Sequence, residues 1–200
     1  MNETYKVQVQ GLVDDLKAVF THAGLGGEAG EYKLLTQSFL YKFLNDKFLY
    51  QAKILDESNT YENLLAMSEE DYDWLLEDIG TSTAWLKPDQ LIESLHRQQN
   101  EPIFYETFEN TLNQIAIDNN DIFSVHTDGD TAIRLFDERL ITDTISDSSK
   151  RNEVAKAIIN LLARVKFDET IFSQGFDFFS TLFEYMIKDY NKDGGGKYAE

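Results

Sequence analysis

LTQSFLYKFLNDKF, residues 35–48, decides the fold class. Leu35, Phe39 and Phe43 recur at i, i+4 spacing, and so do Leu40, Leu44 and Phe48. On a helix these two rows lie side by side. Together they make a wide apolar face, so this helix is expected at the centre of a core.

Outward from it, other segments repeat the helical period. Tyr5, Val9, Leu12, Leu16 and Val19 build one apolar face ahead of it. Ser68 followed by Glu69, Glu70 and Asp71 reads as a capped helix start with acids on the positive end of the dipole, and Trp74, Leu75 and Ile79 follow. Pro88 stands ahead of DQLIESLHRQ and Pro102 ahead of IFYETFENTLNQIA, where each can open a helix. Val154, Ile158, Leu161, Leu162 and Val165 mark another amphipathic helix, and Phe176, Phe179, Phe183, Met186 and Tyr190 the last. Strand evidence is limited to residues 122–126, beside the turn signal Asp128-Gly129-Asp130, which fit a minor strand or a loop. The expectation is a mainly α fold, a globular bundle of about seven or eight helices. Residues 1–190 form the helical domain, and the polar, Gly-rich residues 191–200 form a junction.

Composition bounds the function. Hydrophobic residues are 42% and aromatics 13% of the 200 residues, which suits a globular core rich in Phe and Tyr. There is no cysteine, so disulfides, thiolate metal sites and Cys nucleophiles are excluded, and a reducing cytoplasm fits. The opening MNETYKVQVQ has neither the basic nor the apolar region of a signal peptide, and no apolar run is long enough to span a membrane. The formal net charge of -18 opposes unaided binding to a phosphate backbone.

Few residues form a chemical constellation. Asp189, Asn191, Asp193, Gly194 and Glu200 match a calcium-loop pattern, in which alternating oxygen ligands wrap a hard cation. Against it stand Gly196 at a position that usually carries an aliphatic residue, the cationic Lys188 just ahead, and the lack of an exit helix. His22, His96 and His126 lack metal-ligand spacing and read as satisfied or exposed. Gly24-Leu25-Gly26-Gly27 with Gly30 lacks the Lys and Ser/Thr of a phosphate loop, and Glu28 and Glu31 would repel phosphate, so it reads as a flexible connection. Carboxylate pairs such as Glu69 and Asp73 read as a solvated helix face. Basic residues concentrate at Lys42, Lys47 and Lys53, and at Lys150, Arg151, Lys156, Arg164 and Lys166. Surface ion pairing is the plain reading of both sets; contact with nucleic acid or an acidic partner is the functional one.

Residues 35–48 resemble the early motif of the modification subunits of type I restriction-modification systems: an aliphatic helix with Phe-Leu, a basic residue, Leu, then Asp and Phe. Thr83-Ala84-Trp85-Leu86 sits where that family has a short aromatic segment before a helix. Residues 177–186, DFFSTLFEYM, resemble its aromatic-Glu-Tyr helix ahead of the catalytic domain. Residues 194–200, GGGKYAE, are similar to the Gly-rich approach to its cofactor motif. The resemblance implies a subunit that transfers a methyl group from S-adenosylmethionine to adenine N6 in DNA, on a base flipped out of the duplex. The family's Asn-Pro-Pro-Tyr/Phe motif does not occur in the chain, so this region is expected to be inactive alone and to end ahead of the methyltransferase domain.

Under the resemblance, Gly196, Tyr198 and Glu200 approach the cofactor, while Lys42, Lys47, Lys53, Lys150 and Arg151 contact DNA or subunits. The implied partners are the specificity subunit, the restriction subunit, a second modification subunit and double-stranded DNA within the complex, with no membrane. The cofactor belongs to the whole subunit and not to this region. The alternatives are a stand-alone acidic helical interaction module and, behind it, a calcium-binding protein with its loop at residues 189–200.

Overall fold

The computed structural model describes residues 3–120, 135–167 and 169–174. They form α1 (Glu3–His22), α2 (Ala29–Leu55), α3 (Tyr61–Ala66), α4 (Glu69–Ile79), α5 (Ile92–Gln98), α6 (Phe104–Asp118), α7 (Leu140–Thr144), α8 (Arg151–Arg164) and α9 (Glu169–Gln174). No strand occurs among the described residues, and the mainly α expectation holds. The stretches at residues 122–126 and 176–190 lie outside the described residues. No described helix is long and apolar enough to cross a membrane.

α2 is central, as its double row requires. Residues 41–46 are all buried, so over this turn and a half no side of the helix meets water. Phe39 and Phe48 are fully buried, each contributing about 1.5–3 kcal/mol relative to exposure. α2 packs against α1, α4, α7 and α8, and α8 in turn packs against α1, α5 and α6. On α1, Val9, Leu12 and Leu16 are buried as their spacing predicts, joined by Val13 and Phe20.

The glycines between α1 and α2 terminate a helix. Gly24 has φ +95°, Leu25 N–H donates to the Phe20 carbonyl (2.9 Å) and Gly24 N–H to that of Thr21 (3.0 Å). This is a Schellman cap, with half-buried Leu25 packed against the core to which Phe20 belongs. Gly27 N–H donates to the Glu31 carboxylate (2.6 Å), which turns inward and is buried. The expected flexible connection is therefore a hydrogen-bonded turn. Ser68 caps α4 as expected, its hydroxyl accepting from Asp71 N–H (3.2 Å).

Candidate functional site

The residues of the 35–48 motif converge on a polar centre inside the core. Lys42, Asn45 and Asp46 are between 3% and 8% exposed. Lys42 and Asp46 are one helical turn apart, which brings Nζ to 2.9 Å and 2.8 Å from the two carboxylate oxygens. Asp46 Oδ1 also accepts from Asn45 Nδ2 (2.8 Å), and Oδ2 from the backbone N–H of Phe167 (2.8 Å). The Lys42 ammonium lies 5.7 Å from the centroid of the Phe167 ring.

Asn45 reaches the other way. Its Oδ1 accepts from Ile92 N–H at 2.9 Å, the first residue of α5, whose own N-cap is the aliphatic Leu91. One turn of α2 thus satisfies an orphan donor of α5 and pins the segment that follows α8. Phe172 of α9 then packs edge-on against Phe43 (5.7 Å) and beside Tyr50 (5.2 Å). Burial pushes the Lys42 ammonium below its ordinary value, against the attraction of Asp46. Both Asp46 oxygens are saturated from within the protein, so this centre binds structure to structure and offers no acceptor to a substrate.

The second resemblance-bearing segment is clamped as well. Asn119 Oδ1 accepts from Trp85 N–H (2.6 Å) and Asn119 Nδ2 donates to the Trp85 carbonyl (2.8 Å). Trp85 Nε1 donates to the Gly80 carbonyl (2.7 Å), and the Tyr72 hydroxyl donates to the Leu86 carbonyl. Tyr41 crosses from α2 to donate to the Gln90 carbonyl (2.6 Å).

The basic residues picked from the sequence differ in exposure and in partners. Lys42 is a correction: at 3% exposure its charge is spent on Asp46 and is out of reach of DNA. Lys47 is half-buried, its ammonium 5.9 Å over the Phe43 ring, and burial lowers its pKa. Lys53 is exposed in the last turn of α2. Lys150 is half-buried at the start of α8. Arg151 is also half-buried, and its guanidinium donates to the carbonyls of Ile145 (3.0 Å) and Thr142 (3.2 Å), closing the C-terminus of α7. Gly196, Tyr198 and Glu200, with the calcium-like loop, lie outside the described residues. Among the described residues no cluster of His, Asp and Glu is arranged to hold a metal ion. His96 Nε2 pairs with Asn160 Oδ1 at 3.0 Å, a satisfied histidine linking α5 to α8.

Sequence reasoning missed the polar residues that cap distant helices. Glu109, buried in α6, accepts from Thr142 N–H (2.5 Å) and the Thr142 hydroxyl (2.9 Å) at the start of α7. Asn152 of α8 accepts from Tyr105 N–H (3.0 Å) and donates to the Pro102 carbonyl at the start of α6. A signal for the polar centre was present: Lys42 and Asp46 stand at i, i+4 within a helix whose two apolar rows, Leu35-Phe39-Phe43 and Leu40-Leu44-Phe48, flank them. No known protein family, no curated protein and no solved structure matches the chain.

Proposed function

We propose that this chain is the N-terminal helical domain of a type I restriction-modification modification subunit, and that its work is assembly and enclosure of DNA rather than chemistry. The observation that carries the reading is the use made of residues 35–48. The positions that resemble the family's early motif are the ones that tie α2 to α5 and to the segment entering α9. A domain whose task is to hold other parts in place would spend its polar core residues in this way. In this reading S-adenosylmethionine serves the whole subunit. No described residue is assigned to it, and no step is drawn through it.

The net charge supports a division of labour. A chain at -18 repels the phosphate backbone, so DNA affinity would come from the specificity and restriction subunits and the catalytic domain. The test is methyl transfer. The whole gene product, co-purified with its neighbouring gene products, is expected to move labelled methyl groups from S-adenosylmethionine to adenine N6 of duplex DNA. The 200-residue chain alone is expected to transfer none, to leave plain duplex unshifted in a low-salt gel, and to capture the partner subunits. Absence of transfer by the whole assembly, or tight binding of plain duplex by the chain alone, would sink the proposal. A free-standing interaction module is the second reading, favoured by the outward face of α4.

A further inference from the structure

α4 turns two faces in opposite directions. Tyr72, Leu75 and Ile79 are buried, while Trp74 is 61% exposed. Glu70, Asp73, Trp74 and Glu77 follow i, i+3, i+4, i+7 spacing and share the outward face. With Glu69 they line a shallow open cavity of about 500 Å³. An indole left this far in water forgoes the burial, full or partial, that the other aromatics with a described burial obtain. Among the described residues no cation pairs with Glu69, Glu70, Asp73 or Glu77, and none lies over Trp74.

The same chain shows what completes such a group. Between α3 and α5 the Arg97 guanidinium lies 4.7 Å from the centroid of the Tyr61 ring and pairs with Glu62 and Glu93. An aromatic ring flanked by carboxylates is there covered by an arginine. On α4 the ring and the carboxylates are present and the arginine is not. Tryptophan presents the strongest face of the aromatic residues to a cation.

We infer that the outer face of α4 is a docking surface for a basic segment of a partner protein, an arginine stacking on Trp74 and further cations reaching Glu70, Asp73 and Glu77. Glu70 and Glu77 are seven residues apart, about 10 Å along the helix. Cations at i and i+7 of a partner helix, or at i and i+3 of an extended segment, match that span. Charge complementarity excludes nucleic acid as the occupant. The inference concerns α4 alone and stands whether or not the methyltransferase proposal does.

The experiment uses the full 200-residue chain and a dye-labelled 12-residue peptide carrying four arginines, followed by anisotropy at about 0.15 M salt. Trp74→Ala, and separately the set Glu70→Gln, Asp73→Asn, Glu77→Gln, are each expected to weaken binding about tenfold, the size of a cation–π contact or a small ion-pair network. All four positions are exposed, so the fold is retained. The remote set Asp15→Asn, Glu57→Gln, Glu153→Gln has the same net charge and is expected to change affinity less than about twofold if location rather than total charge governs. A lysine version of the peptide is expected to bind more weakly than the arginine one. Equal weakening by the remote set, indifference to Trp74→Ala, no measurable binding, or binding of duplex DNA at this face would each overturn the inference.

Discussion

Replacing Asp46 by alanine is the sharpest probe of the buried centre. The change strands three donors at once: the Lys42 ammonium, the Phe167 N–H and one N–H of Asn45. Breaking a buried pair from one side leaves an uncompensated charge and costs about 3–5 kcal/mol. A domain of this kind has about 5–15 kcal/mol in total, so the urea midpoint should fall by roughly 1 M or more. Lys42→Met removes the cation but leaves Asp46 with two good donors, and should cost about 1.5–3 kcal/mol. The double variant Lys42→Met, Asp46→Leu has no orphan charge, only the orphaned Phe167 and Asn45 N–H groups, so it should be more stable than the sum of the singles implies. The coupling in this cycle should exceed about 1 kcal/mol. Amide exchange gives a local readout, because Phe167 N–H should lose protection in Asp46→Ala before the rest of the core does. Single costs below about 1 kcal/mol, or additive singles, would refute the idea that this pair is a buried tie. If Asp46→Ala fails to fold, Lys42→Met and the double variant still decide the question.

Other perturbations follow from the same contacts. Gly30→Ala places a Cβ 2.7 Å from the Thr144 methyl of α7, and this overlap, worth about 1–3 kcal/mol, should outweigh the roughly 1 kcal/mol gain in helix propensity; thermal melting should show a loss that Thr144→Ala reverses. Burial raises the Tyr41 and Tyr72 phenols above their ordinary value of 10.0, so their stabilisation is complete below pH 10 and drains as pH rises past it; Tyr41→Phe should flatten the alkaline fall in urea midpoint, and an unchanged slope would contradict this assignment. Lys42 acts in the opposite sense over the alkaline range, because its lowered pKa makes the folded state release its proton first, so the slope should steepen in Lys42→Met. Asn152→Ala should cost about 1–2 kcal/mol and fray the start of α6, read as lost exchange protection at Tyr105. Calcium should leave the melting temperature unchanged, whereas a rise abolished by Asp189→Ala would establish the loop at residues 189–200 as an ion site.

What was legible in the sequence was the part governed by local periodicity. The double row of α2, the stripe of α1 and the Ser68 cap all arise from i, i+3 and i, i+4 relations within one helix, and α1, α2 and α4 stand where that spacing puts them. The starts of α5, α6 and α7 were not legible in their chemistry. Their N-caps are Leu91, Ile103 and Arg139, none with a side-chain capping bond, and the polar atoms that satisfy them come from Asn45, Asn152 and Glu109 on other helices. Pro88 opens a 3₁₀ turn, Pro88–Gln90, and α5 starts only at Ile92. Lys42 was misjudged because a lysine in an apolar helix normally marks its wet side, and residues 41–46 have no wet side. Trp74 stands next to Leu75, but the buried phase runs Tyr72, Leu75, Ile79, and that phase turns the indole outward.

Several cations among the described residues are engaged by the fold itself. Lys42 sits in the core, Arg151 closes α7, Arg97 covers Tyr61, Lys87 meets Asp118 at 3.1 Å and Lys33 meets Asp137 at 2.9 Å. The acids of α4 receive no such partner among the described residues. The formal net charge of -18 is set by composition, 36 acidic against 18 basic residues, and these internal pairings leave the acids of α4 uncompensated. The outward field is negative, which steers basic protein surfaces toward the domain and holds phosphate away. In an assembly that grips DNA, such a domain would engage protein partners first, and any nucleic acid would reach it only after their charges had bridged the gap.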